Sequence, residues 1–281
     1  MPRPLSYSLS RFTSCLAIAA ALGMAQSAQA QLHWDSGADG DGLLGGTGNW
    51  NLSNLFWDPT GTDPALADNI VWPNLATSSA IFGGTAGTVT IDNVGTGVQA
   101  NSLVFNVSGY TIASATAGDV LGLVGTNPTI TVTNALDTAT ISSALAPNAS
   151  TLSFGGAGTL MLQTASARTG LTSVNGGNLV VTNVAALGTG NATVNAGAAL
   201  TSAHNAAGQN FASNVTLNGG TFRQNQAQQL NFAAGKAITI GGAGGTLDVS
   251  GGTGAASKIF LGPEQLLGGG TLTKTGAATL S

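Results

Sequence analysis

The side chains that could act as a catalytic base or nucleophile are few and widely spaced. Histidine occurs only at His33 and His204, and the single cysteine is Cys15. A Ser–His–Asp triad requires a histidine that an acidic side chain orients, but no Asp or Glu lies near His204 in the sequence. The segment SAHNAAG around His204 is typical of a corner. We therefore predict a solvated His204 without a catalytic role.

Two aspartates could form a polysaccharide-cleaving site. Glycoside hydrolysis needs two carboxylates on one face, and the separation of Asp119 and Asp137 is close to one turn of a repeating coil. Arg168 or Arg223 could supply the cation that a lyase needs. This arrangement supports the alternative of a carbohydrate-active β-helix enzyme. The acids beyond residue 92 are otherwise single and widely separated, which favours isolated loop residues.

An acidic segment near the start could bind calcium. The sequence DSGADGDG at 35–42 combines carboxylates with glycine turns, which suit hard cations. It lacks the spacing and the terminal glutamate of an EF-hand, so an acidic solvated turn is favoured. The glycine-rich string at 241–245 has no Lys-Ser/Thr after it and predicts no phosphate-binding loop. We therefore predict no catalytic, cofactor-binding or metal-ligating residue and no cofactor.

Tryptophan is confined to the beginning of the chain. Exposed indole rings can stack on sugars, which supports the alternative of a glycan-binding module. The open end of a repeat stack must be covered, however, and we favour an apolar plug that caps the first coil. The four residues are Trp34, Trp50, Trp57 and Trp72.

Composition argues against several protein classes. The 281 residues include 7 basic and 11 acidic side chains, so 6% are charged, whereas an ordinary soluble domain carries about 25%. Glycine occurs 42 times, roughly twice its usual share, and hydrophobic residues make up 43%. Disordered tails and coiled coils need many charges, and nucleic-acid-binding proteins need a basic surface. None of these classes fits.

The segment 1–30 has the pattern of a secretory signal peptide. Two arginines precede or flank the start of an apolar run at 15–24, and Ala28 and Ala30 form the A-x-A site of signal peptidase. We predict cleavage after Ala30. The apolar run is too short for the roughly 20 residues that span a bilayer. Cleavage removes Cys15 and both arginines, which leaves five basic and 11 acidic side chains, a net charge of −6 and no thiol.

The remaining sequence divides by composition. The segment 31–92 contains seven aspartates, all the tryptophans and no Lys or Arg, whereas the basic residues lie at or after Arg168. We predict a Trp- and Asp-rich N-terminal cap region at 31–85 and an incomplete β-helix repeat body at 86–281. No Pro-rich or Ser-rich linker separates them, so we expect one continuous fold.

Short runs of β-branched and apolar residues predict strands throughout the body. Gly, Asn and Ala separate these runs, and no helical periodicity of useful length competes with them. The predicted strands are TVTI at 88–91, SLVF at 102–105, TITVT at 129–133, TLSF at 151–154, GTLML at 158–162, NLVVT at 178–182, NVTLN at 214–218 and KAITIG at 236–241.

A loose repeat organises these strands. Apolar residues follow Gly- or Asn-rich corners with a spacing that lengthens gradually along the chain. Periods of roughly 20 to 50 residues are typical of solenoids, and two or three strands per unit predict an all-β, right-handed parallel β-helix. A β-sandwich is the alternative, because Asn-Gly corners also suit hairpins. The repeated apolar positions are Leu160, Leu179, Leu200, Phe222, Leu247 and Leu272.

Such a stack also accounts for the low charge. Outward Thr, Ser and Asn side chains can hydrogen-bond from coil to coil. Like charges stacked one strand spacing apart, about 4.8 Å, would repel.

The segment 152–188 contains Gly-x-Gly-Thr-Leu-x-Leu at 156–162, a Thr-Gly pair at 169–170 and Thr-x-Val-Asn-Gly-Gly-x-Leu-x-Val at 172–181. In this pattern it resembles the autotransporter-associated β-strand repeat. A second copy begins at Gly270.

The resemblance implies an exported, surface-exposed or released passenger with a structural or adhesive, non-enzymatic role. It implies a cell-surface or outer-membrane location and partners among the surface glycans or proteins of host or neighbouring cells. It also implies an outer-membrane translocator in the same or a separate chain, and no nucleic acid. Family proteins end in a membrane β-barrel, and Ser281 interrupts a repeat, so we expect a fragment or another export route. Ser166 and Arg168 replace the family's usual asparagine and aromatic residue, which predicts a degenerate rung.

Overall fold

The computed structural model describes residues 31–37, 42–62, 68–93, 97–206, 209–251 and 258–281. Within these ranges the chain forms 28 short strands and no helix. The predicted signal peptide lies outside the described residues. Accordingly, the described part of the chain contains no helix with the length and apolar character needed to cross a membrane.

The strands are short and follow one another closely. The first fourteen are β1 (Gln31–Trp34), β2 (Gly48–Trp50), β3 (Leu55–Asp58), β4 (Ile70–Val71), β5 (Ser79–Phe82), β6 (Thr88–Ile91), β7 (Val98–Ala100), β8 (Ser102–Phe105), β9 (Thr111–Ser114), β10 (Leu121–Leu123), β11 (Thr129–Val132), β12 (Thr138–Ile141), β13 (Leu152–Gly156) and β14 (Thr159–Leu162). The others are β15 (Thr172–Val174), β16 (Asn178–Val181), β17 (Ala192–Asn195), β18 (Ala199–Ser202), β19 (Asn210–Phe211), β20 (Val215–Asn218), β21 (Thr221–Gln224), β22 (Gln229–Phe232), β23 (Ile238–Ile240), β24 (Gly245–Val249), β25 (Lys258–Phe260), β26 (Leu266–Gly268), β27 (Leu272–Thr275) and β28 (Thr279–Leu280).

These strands build a parallel β-helix. One sheet has 12 strands in the order β26-β23-β20-β17-β15-β13-β11-β8-β5-β1-β3-β4, and a second has 10 in the order β2-β6-β9-β12-β14-β16-β18-β21-β24-β27. A third face consists of the pair β7-β10 and the four strands β19-β22-β25-β28. The predicted all-β solenoid is confirmed, and the β-sandwich alternative is not what the chain forms. The right-handed twist of the helix stays a prediction.

The third face explains why the repeat length varies. Leu152, Thr172 and Ala192 occupy equivalent positions in successive coils, and these coils contribute no regular strand to the third face. The next equivalent positions, Val215 and Ile238, are farther apart in the sequence, and their coils include β19 and β22. The degenerate rung predicted around Arg168 lies in the irregular part. A coil therefore lengthens when it adds a third strand.

The repeated apolar positions form one inward column of the 10-stranded sheet. Leu160, Leu179, Leu200, Phe222 and Leu247 pair in successive register, and each is at most 1% exposed. Each side chain thus packs between its equivalents in the coils before and after it. The prediction that Leu272 continues this column is wrong, because Leu247 pairs with Lys274 and Leu272 pairs with Gly245.

Glycine is required where successive coils approach closely at a corner. Gly156 ends β13 with φ of 90° and pairs with Val132 of the preceding coil. A Cβ atom at Gly156 would overlap the carbonyl group of Val132. Since both the backbone conformation and the space exclude a side chain, this corner depends on glycine.

The N-terminal end departs from the parallel pattern. β1 pairs in parallel with β5 but antiparallel with β3, and β3 pairs antiparallel with β4. These two strands extend the 12-stranded sheet beyond its first parallel rung. At the other end, β26, β27 and β28 are the last strands of their sheets.

Candidate functional site

His204 lies inside the solenoid and is 2% exposed. The predicted solvated corner is therefore wrong, because the chain between β18 and β19 turns the ring inward. The hydroxyl of Ser202 lies 3.1 Å from Nδ1, and the carbonyl of Gln229 lies 3.3 Å from Nε2. Burial lowers the pKa of His204, although the contact with Gln229 opposes this shift. These contacts anchor a neutral imidazole between two coils.

His33 is placed far from His204 along the stack, in β1. It lies opposite Asp58 in the antiparallel β1–β3 pair. Burial lowers the pKa of His33, and the charge of Asp58 partly opposes that effect. The two histidines thus lie in separate environments and do not belong to one site.

Asp119 and Asp137, the predicted carboxylate pair of the enzyme alternative, lie near opposite ends of β12. The hydroxyl of Ser143, just after β12, contacts the backbone carbonyl of Asp119, whereas Asp137 immediately precedes β12. A strand the length of β12 spans roughly 13 Å at about 3.3 Å per residue. The structure therefore does not place the two carboxylates together as glycoside hydrolysis requires.

Asp119 is fully buried and holds a corner together. Its carboxylate accepts hydrogen bonds from the Thr116 hydroxyl at 2.6 Å and from the backbone amides of Thr116 and Asn93 at 2.9 and 3.0 Å. The Thr116 hydroxyl bond and the two amide bonds lower the pKa of Asp119, and burial only partly offsets them. The carboxylate therefore supplies the hydrogen bonds that these buried donor groups of the turn would otherwise make to water.

The two arginines of the enzyme alternative have different environments. Arg168 is 1% exposed and donates to the Thr172 hydroxyl at 3.1 Å and to the Ser150 carbonyl at 2.8 Å. Burial lowers the pKa of Arg168 to about 10. Arg223 lies outward on β21 and pairs with Asp248 of the next rung at 2.7 Å. Within the described residues, neither arginine forms a hydrogen bond or an ion pair with Asp119 or Asp137.

The four tryptophans form a buried cluster at the N-terminal end, none more than 2% exposed. The ring centroids of Trp57 and Trp72 are 4.4 Å apart, and those of Trp50 and Trp57 are 4.9 Å apart. Trp34 and Trp72 donate their indole N–H groups to the carbonyls of Gly46 and Gln99. The rings therefore fill the interior and leave no face on which a sugar could stack.

The possible calcium segment is described only in part, because Asp39 and Asp41 lie outside the described residues. Asp35 is buried and accepts hydrogen bonds from the amide of Gly37 and from the side chain of Asn69. The described residues contain no group of three or more His, Cys, Asp or Glu side chains suited to a metal ion. In the glycine-rich segment at 241–245, residues 241–244 link β23 to β24 without a helix and Gly245 begins β24.

Polar side chains form ladders on the outside of the 12-stranded sheet, as the sequence predicts for a charge-poor stack. We call one set the hydroxyl ladder, because Ser or Thr occupies the same register position on six successive strands and is partly exposed on each. Its members are Thr129, Ser153, Ser173, Thr193, Thr216 and Thr239.

Asparagines flank the hydroxyl ladder on both sides, and we call these rows the amide ladders. On one side, Asn195 donates to Asn175 at 2.6 Å and Asn218 donates to Asn195 at 3.2 Å. On the other side, Asn214 donates to Asn191 at 3.0 Å. The amide ladders are thus hydrogen-bonded rows that follow the solenoid axis.

Three polar side chains are buried in the structure although the sequence analysis did not predict their burial. Ser202, His204 and Gln224 are all at most 2% exposed, and Ser202 and Gln224 are register partners in β18 and β21. The alternation of inward and outward positions gives the only signal for them, because all three fall on inward positions. The Asn and Thr ladders, in contrast, follow directly from that alternation.

Comparison with known proteins shows that most of the chain is similar in sequence to part of one curated protein. Over 248 residues it is 36% identical to the adhesin BmaC autotransporter of Brucella suis biovar 1 (strain 1330). The match covers 88% of this chain, but the chain spans only 7% of the length of that relative. No family model and no solved structure matches.

Proposed function

This chain is an autotransporter passenger-like β-solenoid, and on that premise we propose that it is an exported, surface-exposed part of an adhesive protein without a catalytic role. The observation that carries the proposal is the match of almost the whole chain to a segment of an autotransporter adhesin. The parallel β-helix supports it, because a stack of uniform coils displays a long side-chain array on a rigid frame. Asp119, Arg168 and His204 hold coils together, which agrees with a structural use of these groups.

The proposal includes an export route. The chain is cleaved after Ala30, passes an outer-membrane translocator in the same or a separate chain, and reaches the cell surface. Fractionation of the source cells, combined with protease treatment of intact cells, tests this route. We expect an outer-membrane-associated or released protein that begins at Gln31 in N-terminal sequencing. An unprocessed protein confined to the cytoplasm would overturn the proposal.

Adhesion is tested with the full mature chain attached to beads. Beads that carry it are expected to attach to host cells or neighbouring bacterial cells more than beads that carry albumin. A heat-denatured sample of the same chain provides the matched control, since it keeps the composition but loses the solenoid. Equal attachment of the native chain and albumin would contradict the adhesive role.

A further inference from the structure

We propose that the outward face of the 12-stranded sheet, from β11 to β23, binds a neutral, hydroxyl-rich polysaccharide that lies along the solenoid axis. The hydroxyl ladder and the amide ladders form this face. The inference rests on the proposed adhesive function and names the class of partner for it.

The periodicity of the face favours a polymer. Parallel strands lie about 4.8 Å apart, so the hydroxyl ladder repeats one polar group at each such step over six rungs. A single hydroxyl contact gains little in water, because it replaces a hydrogen bond to water. A polymer with repeated hydroxyl groups gains many such contacts once the first is made, since later contacts form within one complex.

The amide ladders make the face preorganised. Asn175, Asn195 and Asn218 hold one another by side-chain hydrogen bonds, so their conformational freedom is restricted before a partner arrives. Asn175 and Asn195 also bond to the hydroxyls of Ser153 and Ser173, which leaves Asn175 one N–H donor and Asn195 one lone pair on its oxygen. The face therefore offers sugar hydroxyls both donors and acceptors in fixed positions.

The absence of charge on the strands that form this face selects for a neutral partner. The nine parallel strands from β5 to β26 in the described sheet contain no Asp, Glu, Lys or Arg. A polyanion docked on these strands would lose hydration and would meet an opposite charge only at the edge of the face, where the Lys236 ammonium donates to the Thr189 carbonyl. The ion pair between Arg223 and Asp248 belongs to the other long sheet. No aromatic side chain occupies the outward positions of the ladders, so sugar hydroxyls rather than ring faces make the contacts.

A sedimentation assay with insoluble polysaccharides tests the inference on the full mature chain. The probes are cellulose, chitin and mannan, with calcium alginate as the acidic comparison. We expect binding to at least one neutral polymer that is insensitive to NaCl. The triple variant Thr193→Val, Thr216→Val and Thr239→Val is expected to bind about tenfold more weakly or worse, because it removes three hydroxyls without changing side-chain shape.

The matched control is the double variant Thr221→Val and Thr246→Val, whose partly exposed threonines lie on β21 and β24 of the other long sheet. It should bind like the unchanged chain. Circular dichroism reports whether each variant folds, and the single variant Thr193→Val replaces the triple variant if that one unfolds.

Three results would overturn the inference: binding to alginate alone, binding to none of the neutral polymers, or equal binding of the hydroxyl-ladder variant and the control. The bead assay separates this outcome from failure of the adhesive role. If the triple variant attaches to cells like the unchanged chain, the adhesive role stands and the assigned face is wrong. If native-chain beads attach no better than albumin beads, the adhesive role itself fails.

Discussion

Single polar residues inside the solenoid form hydrogen bonds that connect neighbouring coils. Arg168 reaches the carbonyl of Ser150 in the preceding coil, and Asp119 accepts the amide of Asn93. Buried polar groups are costly unless they are hydrogen-bonded. These residues therefore lie where a corner leaves backbone groups without a strand partner.

His204 predicts how stability depends on pH. Burial lowers its pKa in the folded chain from the ordinary value of 6.5, so below that pH the unfolded chain binds a proton that the folded chain does not. We expect the free energy of unfolding to fall as the pH drops below 6.5. His204→Gln should reduce that fall, because glutamine does not titrate. Urea unfolding at a series of pH values between neutral and mildly acidic measures the slope.

His33→Gln is the comparison variant for this prediction. The pKa of His33 is also lowered by burial, against the opposing charge of Asp58. We expect this variant to reduce the acid-side fall independently of His204, because His33 lies in β1 and His204 follows β18. If His204→Gln keeps the whole acid-side loss of stability, the burial of a neutral His204 is contradicted.

At the scale of strands and corners, each of the eight runs that the sequence predicts as a strand overlaps one in the structure. β6 and β8 have the predicted bounds of 88–91 and 102–105, whereas the run predicted at 236–241 forms only the shorter strand β23. The register of the last rung could not be predicted, because β27 pairs with β24 in a register shifted from the column that Leu272 would continue. A local pattern specifies which residues face inward but not which residue of the next rung each one meets.

Two glycines separate the effect of backbone conformation from that of close coil contact. Gly156 and Gly197 both have positive φ, 90° and 80°, but only at Gly156 would a Cβ atom meet the adjacent coil. We expect Gly197→Ala to lower the free energy of unfolding by about 1 kcal/mol through backbone strain alone. Gly156→Ala should cost roughly a further 1–3 kcal/mol, the cost of overpacking, because the Val132 carbonyl must move.

Urea unfolding of both glycine variants provides the measurement. Circular dichroism of each variant checks that the β-structure is retained before unfolding. Equal losses at the two positions would show that close contact between coils is not what requires glycine at Gly156.

At the scale of the whole molecule, the solenoid is a one-dimensional stack with different ends. The N-terminal end contains the buried tryptophans and the antiparallel strands β3 and β4, whereas β26, β27 and β28 form the last rung. In such a stack each coil contacts only its neighbours, so stability varies along the axis. We expect amide exchange to be slowest in the central rungs and fastest in β26–β28.

Trp57→Ala tests whether perturbations stay local. Removal of this buried ring is expected to cost about 3–5 kcal/mol near the N-terminal end. Hydrogen exchange measured by mass spectrometry should show faster exchange in β1 and β5 and unchanged exchange in β20–β24. Phe260→Ala is the control, because its ring is 43% exposed. Faster exchange along the whole solenoid after Trp57→Ala would contradict a stack of locally coupled coils.

The sequence by itself determined the strands, the repeat and the low charge of the stacked faces, because alternation, β-branched residues and glycine corners act among close neighbours in the chain. Only the tertiary structure decided that His204, Arg168 and Asp119 are buried, that Asp119 and Asp137 are apart, and that the third face is interrupted. These outcomes depend on contacts between coils that are distant in the sequence. The identity of the neighbour in the next coil decides whether a polar corner residue meets water or a backbone group.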